Sequence, residues 1–281
     1  MKTLQELYRE GLASLRGFPR PDLDARLLLL KSVSLPPEAL ITDPGTLVKD
    51  RPAAKFKRLI ERRSMGEPLA YLLGEKEFWS LPFLIRRGVL VPRPETELVV
   101  EAVLRLSGGG SERILDMGTG SGNIAVALAK ELPRSRLTAV DISIGALRLA
   151  GENAARHHVR NIVFIHSHGF SGLRRGAWRG RYGFVVSNPP YVSAKDWMNL
   201  PPGTKRYEPK IALVSGKTGL EFVGALVRDA RPFLKPGGYL IFEIGFGQKD
   251  SVLALFDKTW DEVRVESDLA GIPRIVAARR S

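Results

Sequence analysis

The stretch "ILDMGTGSGN", residues 114–123, gives the clearest indication of the fold, because an apolar run ends there in a loop with three glycines. Gly118, Gly120 and Gly122 are spaced at every second residue. Glycine allows a positive φ and lets a ligand approach the bare backbone. The helix expected over 122–132 offers free N–H groups and the positive end of its dipole to such a ligand. The stretch therefore predicts a strand, a ligand-binding loop and a helix, in that order.

Two carboxylates beside the glycine loop indicate the kind of ligand. A dinucleotide-binding loop has the pattern G-x-G-x-x-G, and here Asn123 stands where the third glycine is expected. Asp116 at the strand end would repel a pyrophosphate and attract an ammonium group. We therefore expect Asp116 to face the methionine part of S-adenosyl-L-methionine. Asp141 ends the next strand and can accept hydrogen bonds from ribose hydroxyls, which both kinds of ligand carry.

Strands and helices alternate from Arg113 to the region of residue 243. Strands are expected in "RILDMG", "RLTAVDIS", "IVFIHS", "YGFVVSN" and "GGYLIFEIG", with helices between most of them. Such alternation predicts an α/β fold with a mainly parallel sheet and helices on both faces. Ligands bind at the carboxyl ends of the strands in open sheets of this class, which is where the motifs fall.

The sequence predicts two further segments in the part of the chain before the sheet. Residues 1–73 predict a small helical domain, with helices expected over 22–33 and 51–66. We expect this domain to dock the substrate, and the alternative is that it only stabilises the larger domain. Residues 74–94 contain short β-type segments broken by glycine and proline and predict a β-hairpin linker. Residues 95–281, opening with a helix over 95–106, form the expected catalytic domain.

The stretch "SNPPY", residues 187–191, ends the fourth strand of the alternating series, beside the expected ligand pocket. Asn188 supplies a side-chain carbonyl, and Ser187 and Pro189 supply backbone carbonyls whose direction the prolines fix. Two close acceptors suit a planar NH₂ group, and Tyr191 can pack against it and exclude water. This predicts in-line methyl transfer by alignment, without a dedicated general base.

Composition restricts the classes of function. The chain has 281 residues, no cysteine and a formal net charge of +13. Residues 1–75 carry 13 basic and 10 acidic residues, a net charge of +3, so +10 falls on the rest, including the basic stretch 174–181. This balance suits an acidic partner, nucleic acid or simply a solvated surface. No signal peptide or membrane-spanning run is evident, so we expect a cytoplasmic protein that contacts no membrane and, with its few histidines, holds no metal.

Several motifs together resemble the release factor glutamine methyltransferases, the HemK/PrmC family. They are "VLVPRPETELVV" (89–100), "ILDMGTGSGNIAVALA" (114–129), "SNPPYV" (187–192) and "YEPKIALVSGKTGLEF" (207–222), joined by "DLDARLLL" and the terminal "DLAGIPRIVAA". The resemblance covers nearly the whole chain. "NPPY" alone is shared with adenine and cytosine amino-methyltransferases, whereas "PRPETE" is far more specific. The resemblance implies a class I S-adenosylmethionine-dependent methyltransferase domain, Rossmann-like with a mainly parallel seven-stranded sheet, behind an N-terminal helical bundle.

The resemblance also implies a reaction and a set of site residues. The family methylates the side-chain amide nitrogen of the glutamine in the Gly-Gly-Gln motif of peptide chain release factors and releases S-adenosyl-L-homocysteine. Carried over, the catalytic residues are Asn188, Pro189 and Tyr191. The substrate-binding residues are these three with Pro190, Arg93 and Glu95. The expected cofactor-binding residues are Asp116, Gly118, Thr119, Gly120, Ser121, Gly122, Asp141, Ile142, His168, Gly169, Phe170 and Asn188.

One position departs from the family pattern. After the third strand the family usually has an acidic residue before an aromatic, near the adenine, and here "HSHGF" places His168 where the acid is expected. Either the adenine amino group loses a direct acceptor or neutral His168 supplies one. Gly169 and Phe170 remain candidates for the adenine pocket. The departure bears on the affinity for the cofactor and leaves the reaction type unchanged.

Other functions stay open at this point. A close alternative is a glutamine methyltransferase acting on a ribosomal protein. A nucleic-acid adenine amino-methyltransferase is favoured by the charge and by "NPPY", but base flipping usually needs a dedicated recognition region, and only about 75 modestly charged residues remain for one. A nucleotide-binding oxidoreductase is opposed by Asp116 and the glycine spacing, and an inactive binding module by the intact "NPPY". Direct nucleic-acid binding is compatible with the charge but is not required for the leading function.

Overall fold

The computed structural model describes residues 1–36, 38–173 and 178–281. Part of the basic stretch 174–181 therefore lies outside the described residues. The chain forms two compact units, each described by itself below. The first consists of Met1–Glu75 and Pro201–Tyr207, and the second of Lys76–Leu200 and Glu208–Ser281.

The first unit is mainly helical. Its elements before residue 75 are β1 (Lys2–Thr3), α1 (Leu4–Ser14), α2 (Pro21–Val33), α3 (Ala39–Thr42), β2 (Leu47–Val48), α4 (Asp50–Ser64) and α5 (Leu69–Leu73). Thr3 begins α1 with a capping box, in which its hydroxyl accepts from the Glu6 N–H while the Glu6 carboxylate accepts from the Thr3 N–H. Leu7, Leu28 and Phe56 are buried in its core. The helices predicted over 22–33 and 51–66 are present, each beginning one residue earlier than expected.

The second unit contains the large sheet and its helices. After α5 the elements in chain order are β3 (Glu75–Phe78), β4 (Leu81–Leu84), α6 (Glu97–Ser107), β5 (Arg113–Met117), α7 (Asn123–Glu131), β6 (Arg136–Asp141), α8 (Ile144–Arg156), β7 (Ile162–His166), β8 (Tyr182–Ser187), α9 (Ala194–Asn199), α10 (Pro202–Tyr207), α11 (Glu221–Ala230), β9 (Leu234–Glu243), α12 (Lys249–Leu253), β10 (Trp260–Ser267) and β11 (Pro273–Arg280). Of these, α10 and the first residue of β3 belong to the first unit, and the rest belong to the second. Short 3₁₀ turns cover Pro94–Thr96, Ser171–Leu173 and Lys210–Ala212.

Strands β3 and β4 pair with each other as a separate two-stranded sheet. Trp79 and Ser80 connect them with φ values of 53° and 54°. Two successive residues with positive φ match the right-handed twist of a tight hairpin. The chain at 75–84 is therefore a β-hairpin.

The seven-stranded sheet has the order β10-β11-β9-β8-β5-β6-β7. Strands β7, β6, β5, β8 and β9 are parallel, and β10 and β11 run antiparallel at one edge. From β5 the chain builds outward through β6 and β7, then returns to place β8 on the other side of β5. This reversal is the topological switch point, where such sheets bind ligands at the carboxyl ends of their strands. The predicted mainly parallel sheet is confirmed.

Burial of the central strands explains their sequences. All six residues of β8, "YGFVVS", are buried, because helices cover both faces of a parallel sheet. Helix α7 follows the glycine loop and is buried over most of its length, which its small side chains permit. The helix predicted over 95–106 instead begins at Glu97, because Pro94–Thr96 form a 3₁₀ turn ahead of it.

Gly122 is required for the packing of the glycine loop. Its φ is +81°, and a Cβ built on it would lie 2.9 Å from the Cβ of Ala150 in α8. We predict that Gly122→Ala lowers the free energy of unfolding by about 2 kcal/mol or more, through a strained backbone and a displaced helix. Urea unfolding measures the change. Gly151→Ala is the matched control, because Gly151 lies within α8, has open space around it and should gain up to about 1 kcal/mol. Equal effects of the two substitutions would contradict this account of Gly122.

No helix among the residues that the structure describes is long and apolar enough to cross a membrane.

Candidate active site

The ends of β5 and β8 bring the two main motifs together. Asp116 of β5 is in register with Val186 of β8. One residue further on, the Ser187 hydroxyl donates to the backbone carbonyl of Met117 at 2.7 Å. The glycine loop leaves β5 and the Asn-Pro-Pro tip leaves β8 from this junction. Both motifs therefore begin from one fixed point at the carboxyl edge of the sheet.

Asp116 is a fully buried carboxyl group. Its Oδ2 accepts a hydrogen bond from the Thr119 hydroxyl at 2.6 Å, while Oδ1 is buried and has no hydrogen-bond partner among the described residues. Burial raises the pKa of Asp116 to about 7, with the Thr119 hydroxyl and the backbone N–H of Ala125 opposing the shift and the charge of Asp141 adding to it. A buried acceptor without a donor costs free energy. This buried acceptor therefore fits a ligand that brings a cationic ammonium to donate to it.

The titration of Asp116 has a consequence for stability. Its pKa rises from 3.8 in the unfolded chain to about 7 in the folded one, so the folded state holds the extra proton between these values. Stability contributed by this group is therefore complete below about pH 4 and lost as the pH rises through about 7. We predict that the cofactor-free protein loses about 2–3 kcal/mol relative to Asp116→Asn between about pH 5 and pH 8. Urea unfolding of both proteins tests this, and parallel pH profiles would contradict it.

The glycine loop is tied to the neighbouring strand. The N–H groups of Gly118 and Thr119 donate to the carbonyl of Val140 at 2.8 and 3.0 Å. Gly118 has a φ of +76°, and a Cβ built on it would meet no protein atom within 4 Å. The loop is thus held in place on one side and presents open space beside Gly118. A ligand can therefore approach the backbone at Gly118, whereas the surroundings of Gly122 are packed.

Asp141 holds the loop at the end of β6. Its Oδ2 accepts from the Gly120 N–H at 2.9 Å, and its Oδ1 accepts from the Ser143 N–H at 2.8 Å. Each carboxylate oxygen can accept more than one hydrogen bond, so capacity for ribose hydroxyls remains. Ile142, the next residue, is exposed. Binding of the ribose by Asp141 and of the cofactor by Ile142 stays a prediction.

The remaining loop residues expected at the cofactor lie in different surroundings. In the glycine loop, the carbonyl of Ser121 accepts from the Asn153 side chain at 2.9 Å. His168 is exposed after β7, and Gly169 has a φ of +53°. Phe170 is buried in the core and stacks on Phe233 with ring centroids 4.8 Å apart. The ring of Phe170 is therefore packed against the protein, and the roles of these residues toward adenine stay predictions.

Asn188 projects from the tip after β8 into a small depression. The residues lining the depression are Leu90, Arg93, Asn188, Pro189, Tyr191, Ala212 and Leu213. Pro189 is buried, and Pro190 and Tyr191 are half-buried beside it. The structure thus brings the predicted residues Arg93, Asn188, Pro189 and Tyr191 together in one place.

Thr96 and Glu243 are two buried polar residues at this site that sequence reasoning missed. The Asn188 Nδ2 donates to the Thr96 hydroxyl at 2.8 Å, and that hydroxyl donates to Glu243 Oε2 at 2.6 Å. The Tyr191 phenol donates to the other carboxylate oxygen, Oε1, at 3.0 Å. Burial raises the pKa values of both Glu243 and Tyr191. An acidic residue at the end of the apolar run "YLIFE" is the signal that could have identified Glu243.

The two "PRPETE" residues predicted for the site wall are placed differently. Arg93 donates to Glu208 Oε1 at 2.7 Å, and the Glu208 Oε2 accepts from the Val91 N–H at 3.3 Å. Glu208 is buried and fixes Arg93 at the depression. Glu95 is half-buried, does not appear among the described lining residues, and through its charge raises the pKa of Glu243. A role of Glu95 in binding substrate stays a prediction.

Histidine, aspartate and glutamate side chains do not gather into a metal-binding group of three or more within the described ranges.

Two protein families match the chain. The family described as "Methyltransferase small domain" matches residues 94–200, and the "PrmC N-terminal domain" matches residues 6–74. Two solved structures share the fold over most of this chain. A methyltransferase from Pyrococcus furiosus has a TM-score of 0.52 at 18% identity and covers 78% of this chain and 98% of its own. A Thermus thermophilus 16S rRNA N2 G1207 methyltransferase has a TM-score of 0.51 at 16% identity and covers 74% and 50%.

Relatives with much higher identity span nearly the whole chain. A release factor glutamine methyltransferase from Vibrio cholerae is 39% identical over 260 residues, which cover 92% of this chain and 90% of the relative. Proteins of the same name from Koribacter versatilis and Nitratidesulfovibrio vulgaris are 38% and 37% identical, covering 99% of this chain and 99% and 96% of their own lengths. The expected resemblance is confirmed, and the chain belongs to the release factor glutamine methyltransferase family.

Proposed function

We propose that this protein transfers a methyl group from S-adenosyl-L-methionine to the side-chain amide nitrogen of the glutamine in the Gly-Gly-Gln motif of peptide chain release factors. The observation that carries the proposal is the fixed amide of Asn188, whose Nδ2 donates within the protein at 2.8 Å and whose carbonyl is left for a ligand. Family membership supports the choice of substrate. The function would place the protein in the cytoplasm, where translation terminates.

The cofactor site supports the choice of methyl donor. The orphaned Oδ1 of buried Asp116 fits the ammonium of the methionine part, and the open space beside Gly118 fits its close approach. Asp141 would hold the ribose, and Ile142, His168 and Gly169 would border the adenine. S-Adenosyl-L-methionine supplies an electrophilic methyl group on a sulfonium and leaves as S-adenosyl-L-homocysteine. The negative potential of Asp116 and Asp141 suits this cationic donor and opposes a dinucleotide phosphate.

The substrate amide would lie between two acceptors. Asn188 Oδ1 and the backbone carbonyl of Pro189 would each accept one hydrogen of the NH₂ group, while Tyr191 packs beside it and excludes water. Accepting both hydrogens draws electron density to the nitrogen and holds its lone pair out of the amide plane. A nitrogen–carbon bond would then form as the carbon–sulfur bond of the donor breaks, and the acidified amide would lose a proton to water. The residues supply alignment and a preorganised polar setting, so no general base is required.

Mass spectrometry after incubation with labelled methyl donor tests the function. The substrates are purified release factor, its Gln→Asn variant at the Gly-Gly-Gln motif, a ribosomal protein fraction and DNA. One added methyl on the motif glutamine, absent from the variant, is the expected result. Label confined to DNA or to a ribosomal protein would reject release factors as the substrate and select one of the alternative functions. The docking of substrate by the first unit stays a prediction.

A further inference from the structure

A branched hydrogen-bond chain ends at Asn188 and begins at a buried carboxylate. Thr96 and Glu243 are each 1% exposed, and together they connect Asn188 to the interior. Glu243 accepts from Thr96 at 2.6 Å through one oxygen and from Tyr191 at 3.0 Å through the other. Thr96 in turn accepts from Asn188 at 2.8 Å. Residues from the 3₁₀ turn before α6, from the end of β9 and from the tip after β8 thus meet in one network.

We propose that Thr96 and Glu243 are positioning residues, which fix the direction of the Asn188 amide so that its carbonyl faces the substrate nitrogen. The inference rests on the proposed function. It adds to that function a reason why Asn188 presents its carbonyl, and not its NH₂ group, to the substrate amide. Neither residue was among those predicted from the sequence.

The orientation of the Asn188 amide follows from the number of protons that Thr96 can donate. Both oxygens of Glu243 act as acceptors, one from Thr96 and the other from Tyr191, and a threonine hydroxyl has one proton to donate. Because Thr96 donates that proton to Glu243, only its lone pairs remain for Asn188. The NH₂ end of the Asn188 amide must therefore point at Thr96, and the carbonyl end is left for the substrate.

Without this direction the amide would have two nearly equivalent orientations. The two ends of an asparagine amide have similar shapes, so a rotation of 180° about the last side-chain bond costs little by itself. The rotated amide would present NH₂ to the NH₂ of the target, placing donor against donor. The hydrogen bond would be lost and both groups left unsatisfied. Glu243 thus selects the productive orientation of the Asn188 amide through Thr96, which lies between them in the hydrogen-bond chain.

The burial of Glu243 is consistent with a functional rather than a stabilising role. Taking a carboxylate out of water costs free energy, and a neutral amide of the same shape avoids the cost of burying a charge. Nearby Glu95 adds to that cost, whereas Arg274 reduces it. Glu243→Gln should therefore keep or raise the stability of the fold. It also gives residue 243 a donor of its own, so the hydrogen bond with Thr96 can reverse and the Asn188 amide can rotate.

Three substitutions in the full-length protein test the proposal. Thr96→Val and Glu243→Gln should each lower kcat for release factor about tenfold or more, with KM for the cofactor within about twofold of the wild type. Thr96→Ser keeps the hydroxyl and should restore most of kcat. Thr138→Val is the matched control, because Thr138 is a buried threonine whose hydroxyl accepts from Tyr182 at 3.0 Å within the sheet, away from Asn188. Its kcat should stay at the wild-type value.

The outcomes separate this inference from the proposed function. Wild-type kcat in both Thr96→Val and Glu243→Gln, with the wild type methylating glutamine, would overturn the inference and leave the function intact. A Thr96→Ser protein as slow as Thr96→Val would show that packing, not the hydroxyl, matters, and would also overturn it. Failure of the wild type to methylate glutamine in release factor would reject the function and the inference with it. Thermal unfolding checks the fold, and Glu243→Gln, being isosteric, decides the case if Thr96→Val unfolds.

Discussion

Asn188→Ala is expected to lower kcat for glutamine methylation by about 10²- to 10³-fold while leaving cofactor binding nearly unchanged. The alanine removes the Oδ1 acceptor that would hold one hydrogen of the target amide. Removal of one preorganised hydrogen-bonding group of this kind costs about 10²–10³ in kcat where charge redistributes in the transition state. Cofactor affinity should change little, because its main contacts are expected from the glycine loop and from Asp116 and Asp141. Steady-state kinetics and calorimetric titration measure the two effects.

Asn161→Ala is the control for loss of an asparagine. The Asn161 amide donates to the backbone carbonyl of Ser135 at 3.0 Å, where it joins loops around β6 and β7. This substitution should lower stability by about 1 kcal/mol or more and leave kcat unchanged. Asn161→Ala should thus lower stability without lowering kcat, whereas Asn188→Ala should lower kcat. Turnover by Asn188→Ala within tenfold of the wild type would mean that Asn188 does not hold the reacting amide.

Asp116→Asn is expected to raise the dissociation constant for S-adenosyl-L-methionine about 10- to 100-fold. Oδ1 of Asp116 is buried with no partner among the described residues, so an ammonium placed there would gain a charge-assisted hydrogen bond. Hydrogen bonds to charged groups contribute about 1.5–3 kcal/mol, and about 1.4 kcal/mol corresponds to a factor of ten. The asparagine keeps the shape and loses the charge. Calorimetric titration at about pH 8, where Asp116 is ionised, measures the change.

Asp257→Asn is the control for the same chemical change at an exposed site. The Asp257 carboxylate accepts from the Thr259 hydroxyl and N–H on the surface, so its cofactor affinity should equal that of the wild type. Repeating the wild-type titration at about pH 5 adds a second check. Protonation of Asp116, whose pKa is about 7, should then weaken cofactor binding in the wild type but not in Asp116→Asn. Equal affinities of wild type and Asp116→Asn at both pH values would contradict the ammonium assignment.

Local patterns were sufficient to predict the large sheet and the meeting of its two motifs. "ILDMGTGSGN" and "FVVSNPPY" each end a buried strand, and parallel strands end at the same edge, so the approach of the glycine loop to Asn188 followed from topology. The antiparallel edge made by β10 and β11 did not come from the alternation, because it lacks helices between its strands. The family resemblance implied seven strands in a mainly parallel sheet but did not place these two.

The contacts that hold the site depend on residues far apart in sequence. Thr96 and Glu243 are 147 residues apart and meet only because the turn before α6 lies against the end of β9. Arg93 and Glu208 are 115 residues apart. No spacing rule relates such pairs, so Arg93 could be predicted at the site from the sequence but its partner Glu208 could not. Burial of Phe170 against Phe233 also depends on tertiary packing and could not be inferred from "HSHGF".

A crystal structure of this protein with S-adenosyl-L-homocysteine and a peptide containing Gly-Gly-Gln would show directly which groups hold the glutamine amide. We expect the glutamine amide nitrogen at about 2.7–3.2 Å from both Asn188 Oδ1 and the Pro189 carbonyl oxygen, with the homocysteine ammonium at Asp116. A glutamine amide held by other groups, or an Asn188 that turns its nitrogen toward the substrate, would contradict it.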